Sequence, residues 1–246
     1  MINKGKLQSI ISKYYLNGLN ESVKWETEDN RLEINFQSPN KDMIGRVISR
    51  NFPLDNSEIA VYDTSKLTKL LGITNGDVFL SLEQQKSVFT KLIVADATYT
   101  LNFSLTDLLL IQTLGEVTDP ENYEINWDMD KENIDAIIRA HNALDNDNVM
   151  FKLDKDLDLQ DVLVMVFGDT SNHTNKIEYQ LQGASFEGLP YGAEIPFNSQ
   201  MIRTIMGNNK DADSAHLSIN LQGLMKLSFR GEDWESVYYL IRKADI

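Results

Sequence analysis

The sequence predicts an α+β protein built from two similar domains, each with two helices packed on antiparallel sheets. Three observations carry this. First, the apolar stripe of Leu7, Ile10, Ile11 and Tyr14 recurs 127 residues later as Ile134, Ile137, Ile138 and His141. Second, residues 62–72 (YDTSKLTKLLG) read against 197–207 (FNSQMIRTIMG) at a shift of 135. Both copies run from an aromatic residue through polar caps and a stripe at helical spacing to a glycine. Third, most of the remaining chain alternates polar and apolar residues, the period of half-buried strands. Two helices per half, in the same order, imply a duplicated domain.

Taken in order, Leu7, Ile10, Ile11 and Tyr14 mark the first helix, spaced i, i+3, i+4, i+7. Segments 23–27 and 32–36 are strands joined by Asp29-Asn30, a hairpin turn signal. Strands follow at 44–48 and 59–62. The second helix comes next, with Thr64 or Ser65 as its cap, and Asn75-Gly76 turns the chain after it. Strands at 78–82, 88–94 and 99–105 close the first half. Residues 106–122 show no clean period and hold Gly115 and Pro120, so they read as the connection. Its apolar run 108–111 should lie partly against a domain face. The second half repeats the scheme. A strand at 125–127 leads into a helix starting near Asp130, where Asp128 and Asp130 can cap free N–H groups. Strands follow at 149–153, 162–167, 177–181 and 193–197. Beyond the fourth helix lie strands at 217–221, 224–229 and 237–241. The loop 183–192, with three Gly and one Pro, should be exposed. The domains are thus 1–110 and 123–246, with a connector over 111–122. Helices on one face of antiparallel strands define the class.

Composition narrows the function. The 246 residues hold no Cys, which removes disulfide and thiol chemistry. The N-terminus carries Lys4, Lys6 and Lys13 and lacks the apolar run of a signal peptide, and no stretch reaches 18 apolar residues. A soluble, intracellular protein is expected. The formal net charge of −14 argues against nucleic-acid binding by the surface as a whole. The 23 Lys and Arg are not evenly spread, however. Lys4, Lys6, Lys13, Lys66, Lys69, Lys131, Arg139, Arg203 and Lys210 all lie on the four helices or at their ends. Lys6, Ser9 and Lys13 oppose the stripe of the first helix; Lys66 and Lys69 oppose that of the second. Each lysine alone reads as a solvated residue. Jointly, helices on one side of their sheets would make one basic face on an acidic protein. Such a face tracks phosphates without reading bases.

At these residues the chain resembles a family. The segments 59–63 (IAVYD) and 91–98 (KLIVADAT), with the short helix ending at Gly72, resemble the first domain of the DNA polymerase sliding clamps of tailed phages. The segments 226–232 (KLSFRGE) and 238–245 resemble that family's C-terminal strands, and the order of elements matches over nearly the whole chain. The resemblance implies two clamp-type domains per chain and a homotrimeric ring of six, lined by twelve helices around duplex DNA. The nine basic residues would then face the hole. The ring would be opened by a clamp loader and would tether a DNA polymerase through that enzyme's C-terminal peptide, with a further role in late transcription. It would act in the cytoplasm of the infected host cell. By the same analogy the subunit contacts are sheet edges: Tyr99, Leu101, Phe103 and Leu105 in one domain, and Ile177, Tyr179 and Leu181 in the other. A partner-peptide pocket is expected around Leu108, Leu110 and Ile111 and the C-terminal Lys243, Ala244 and Ile246. Residues 106–122 and 183–192 match the family poorly.

Catalytic patterns are missing. There is no GxxxxGK[ST] loop and no GxGxxG after a strand. His141, His173 and His216 are far apart and lack companions at ligand spacing. Asp154, Asp156 and Asp158 imitate a calcium loop, but its sixth position is Leu159 and its twelfth Met165, so the run reads as a charged turn. No cofactor or metal is expected, and the chain reads as a non-enzyme. The rival readings are an enzyme or small-ligand binder on a duplicated α+β scaffold, with its site between the halves, and a phage structural protein. The missing constellations weigh against the first, and the basic helix faces against the second.

Overall fold

The computed structural model describes residues 1–112, 114, 119–144, 146–168 and 175–243. The chain divides into two compact units, Met1–Val117 with Glu232–Ser236, and Thr118–Gly231 with Val237–Ile246. The short segment at 232–236 packs with the first unit, although its position in the chain predicts the second.

The first unit runs β1 (Ile2–Asn3), α1 (Lys4–Tyr15), β2 (Val23–Glu28), β3 (Arg31–Gln37), β4 (Met43–Ser49), β5 (Ser57–Val61), α2 (Thr64–Gly72), β6 (Asp77–Gln85), β7 (Val88–Ala95) and β8 (Thr100–Ser104). One antiparallel sheet has the order β1-β6-β7-β8, and in another β4, β3, β2 and β5 are neighbours. Asp29 and Asn30 both take positive φ, as a two-residue hairpin loop demands. The second unit runs β9 (Ile125–Met129), α3 (Lys131–Leu144), β10 (Asn148–Lys155), β11 (Asp161–Gly168), β12 (Lys176–Gln180), β13 (Ser185–Phe186), β14 (Glu194–Asn198), α4 (Ser199–Asn208), β15 (Ser214–Asn220), β16 (Leu224–Arg230) and β17 (Trp234–Ile241), whose first three residues belong to the first unit. Its sheets have the orders β12-β11-β10-β14 and β13-β9-β15-β16-β17. The expected class, α+β with two helices per half on antiparallel sheets, is the one observed. Two short strands escaped the sequence: β1, and β13 inside the glycine-rich loop. Among the described residues no helix is long and apolar enough to cross a membrane.

Capping fixes where each helix begins. Asn3 Oδ1 accepts the Gly5 N–H, and Asn198 Oδ1 that of Met201. Asp130 and Asn133 satisfy each other reciprocally at the start of α3. The cap of α2 is Asp63, not Thr64 or Ser65: its carboxylate accepts the Lys66 N–H at 2.8 Å. Thr64 turns inward instead and is fully buried, with its hydroxyl 3.4 Å from the Tyr14 hydroxyl. The second half repeats this. Ser199 follows the cap of α4 and bonds the buried His141. Tyr14 and His141 are counterparts at the 127-residue shift, and Thr64 and Ser199 at the 135-residue shift, so the duplication reaches the polar contact inside each helix pair. Burial pushes the Tyr14 hydroxyl well above its ordinary range, so it stays neutral.

Beneath the helices lie two cores. In the first unit Leu7, Ile10, Ile11, Leu67 and Leu71 are buried, and Tyr14, Trp25 and Phe52 stack edge to face in series. In the second, Trp127 meets Tyr179, Phe151 meets Phe197, and Phe229 meets Tyr238.

Lys13 departs from its expected exposed position. It is fully buried, its amine 3.8 Å from the centroid of the Trp234 ring and 2.7 Å from Ser9 Oγ. The cause is the segment 232–236, which covers that flank of α1: Asp233 takes Lys6 and Trp234 takes Lys13. A segment more than two hundred residues away cannot be seen in helical spacing. Lys13→Ala should lower stability by about 2 kcal/mol. Lys66→Ala, on the exposed side of α2, should stay within about 0.5 kcal/mol. Equal effects in urea titration would contradict this placement.

Asp96 ties two loops beside the sheet edge. Its carboxylate accepts N–H groups from Asn75, Thr98 and Tyr99 at 2.6–2.7 Å. Those backbone donors hold its carboxyl below the usual range. A depressed folded value gives stability that is present above the unfolded value and lost as pH falls through the folded one. Asp96→Ala should therefore melt lower than the parent at pH 7, and the gap should narrow below about pH 4. A gap independent of pH would show that the carboxylate charge plays no part.

Candidate nucleic-acid interface

The four helices are where positive charge collects. Together they carry eight Lys and Arg and two carboxylates, Glu132 and Asp135, while α1, α2 and α4 hold no acidic residue. The rest of the chain holds all but two of its 37 Asp and Glu. α1 packs on α2, and α3 on α4. Each pair buries its stripes and turns other flanks away from the core.

The nine expected basic residues separate by environment. Lys66 and Lys69 are exposed, one turn apart on α2, and make no ion pair among the described residues. Lys131 and Arg139 are likewise exposed on α3 and make no ion pair among the described residues. Lys210 is exposed and lies 3.6 Å from Asp135, a surface pair of little energetic weight. Arg203 is half-buried, and its Nε donates to Asn142 Oδ1 at 2.7 Å, which holds the guanidinium beside α3. The three lysines of α1 are committed elsewhere. Lys13 is in the core. Lys6 pairs with Asp233. Lys4 donates to the carbonyls of Gly72 and Thr74, closing the C-terminal end of α2, where a cation is favoured. The usable positive charge therefore sits on α2, α3 and α4. Asn142 was missed in the sequence, although it lies one turn beyond Arg139 and its place there was a usable signal.

The two expected contact strands are edges of their sheets, β8 and β12. Their side chains are not all free for contact. Leu101, Phe103 and Leu181 are buried in their own units, whereas Tyr99 is exposed and Leu105, Ile177 and Tyr179 are half-buried. Backbone parity says which N–H groups remain. Leu105 N–H bonds Thr90, and Leu181 N–H bonds Leu163. Alternation then turns the N–H groups of Phe103 and Tyr179 inward, and those of Asn102, Ser104 and Glu178 outward. Sequence cannot fix this parity, because one residue of register inverts it.

Of the expected peptide-docking residues, Leu108 and Leu110 lie in a single 3-10 turn and are exposed, with Leu109 more so. Ile111 is buried and serves the core, because the turn packs against β5. Lys243 bonds Asn148 Oδ1 at 2.6 Å, and its N–H bonds the Pro196 carbonyl, extending the second unit. Ala244 and Ile246 lie outside the described residues, as does His173. Asp154 belongs to β10, while Asp156 and Asp158 form the charged turn after it, where Asp156 accepts the Asp158 and Gln160 N–H groups. Among the described residues no cluster of His, Cys, Asp or Glu could hold a metal ion.

Neither a protein-family model nor a curated protein sequence matches the chain. Solved structures do. Proliferating cellular nuclear antigen (PCNA) from Entamoeba histolytica superposes with a TM-score of 0.72 at 13% identity, over 98% of this chain and 96% of that one. PCNA from Thermococcus kodakaraensis gives 0.72 at 12% identity, over 98% and 97%. A. fulgidus PCNA, in a structure with the C-terminal region of FEN-1 bound, gives 0.76 at 14% identity, over 100% and 98%. Along its whole length, the chain has the PCNA clamp fold.

Proposed function

We propose that the chain is a sliding clamp: a homotrimeric ring that encircles duplex DNA and tethers a replicative DNA polymerase. The observation that carries this reading is a full-length clamp fold whose helices hold eight cations against two carboxylates, on a protein of net charge −14. A ring holds DNA by topology and needs low friction rather than tight binding. A few exposed cations per subunit, multiplied by three, meet that need, and the acidic remainder repels DNA from the outside. The protein is a scaffold and not an enzyme.

Each chain offers one β8 edge and one β12 edge. Pairing β8 of one copy with β12 of the next satisfies both, head to tail, and a head-to-tail contact that closes makes a ring. With two domains per chain, three copies give six domains. The phage-like segments 59–63 and 91–98 favour viral replication in the cytoplasm of an infected host, with service to late transcription. A loader would open the ring, and a polymerase would dock by a terminal peptide, as the FEN-1 C-terminal region does on A. fulgidus PCNA. Leu108 and Leu110 remain the candidate docking residues.

Mass photometry should find a species near three times 28.0 kDa. Asn102→Pro, which removes an outward N–H and leaves the inward ladder intact, should shift the population toward the single chain. An unchanged mass distribution for that variant would place the subunit contact elsewhere.

Lys66→Ala combined with Lys69→Ala should leave the trimer intact, because both residues lie off the buried stripe. The log–log salt slope of DNA association should fall, by at most about one unit for each phosphate no longer neutralised. No base preference should appear in either protein. An identical slope would return both lysines to ordinary solvated residues.

A further inference from the structure

The hairpin between β10 and β11 ends in Asp156, Leu157, Asp158 and Leu159. Leu157 is fully exposed (102%), Leu159 is 72% exposed, and Tyr191, whose ring lies 5.5 Å from the Lys155 amine, is 56% exposed. Nothing in the hairpin's own folding calls for these leucines. Leu159 has φ 62, a left-handed conformation in which Gly or Asn is preferred to a bulky side chain. Either would suit both the backbone and water better. The tip is nonetheless well held. Asp156 accepts two backbone N–H groups, and Lys155 donates to the Leu159 carbonyl and pairs with Asp161.

The charges around the leucines are sorted. Lys155 is spent on Asp161, and Lys152 on Asp154 and Glu178. Asp156 and Asp158, which flank Leu157 in sequence, make no ion pair among the described residues. The tip therefore presents apolar side chains beside uncompensated negative charge.

We propose that this hairpin tip is a docking point for a partner protein that presents an apolar patch bordered by Lys or Arg. The leucines supply burial, and the two carboxylates set the sign of the partner. The same carboxylates disfavour an anionic membrane. The proposal does not depend on the ring: a failed trimer test would leave it standing, and its own failure would leave the ring standing.

The probe is a synthetic helical peptide with leucines along one face and arginines on both borders, titrated onto the full chain by fluorescence anisotropy. Saturable binding is expected. Leu157→Ser with Leu159→Gly should weaken it at least about tenfold. Asp156→Asn with Asp158→Asn should weaken it and flatten its salt dependence. The leucine variant should melt no lower than the parent, since it relieves strain and exposure. Equal affinity of parent and leucine variant would overturn the proposal. So would a lower melting temperature, which would make the leucines structural. Two further results would overturn it in favour of other occupants: leucine-dependent binding to phosphatidylcholine vesicles without peptide binding, and self-association abolished by the same substitutions.

Discussion

Each helix in this protein can bury one stripe only, and that limit governs the rest. A helix pair packs by its apolar stripes and shares a buried polar contact under the start of its second member, Tyr14 with Thr64 and His141 with Ser199. Once the stripes are spent, the other flanks must be solvated, covered by another segment, or given to a partner. α1 is covered, by residues 232–236. The outer flanks of α2 and α3 stay open, and there the free cations stand. α2 carries no carboxylate, whereas α3 sets Glu132 and Asp135 beside its two cations.

The fold was legible because it is written in periodicities. Stripes at helical spacing located four helices, and alternation located nearly every strand, since both follow from where side chains point. The repeat added redundancy, because an element read in one half could be sought in the other. What escaped is of other kinds. β1 and β13 have two residues each, too few for a period. The cap of α2 was misplaced by one residue because Asp63, Thr64 and Ser65 are all good caps. The choice was made by Tyr14, a tertiary partner fifty residues away.

The site was legible in part. That basic residues gather on helices is a matter of composition, and the structure keeps Lys66, Lys69, Lys131 and Arg139 exposed. Which cations stay free is decided by long-range packing, and all three lysines of α1 are taken by it. Lys4 serves a helix end, Lys6 an ion pair and Lys13 the core. The edge strands show the same division. Their existence was readable, but the parity of their free N–H groups was not, because it depends on register with the neighbouring strand. A periodic property is visible in the sequence, and a pairing is not.

The central claim is that DNA is held by topology and not by affinity, and a cut in the DNA tests it most directly. Protein is threaded at micromolar concentration onto a linear duplex over one open end, that end is then blocked, and the complex is washed in high salt. The account predicts that complexes survive the wash and are released by a single restriction cut within the duplex. Loss during the wash, or retention after the cut, would contradict a ring and leave the basic helices as a surface that binds DNA by charge alone.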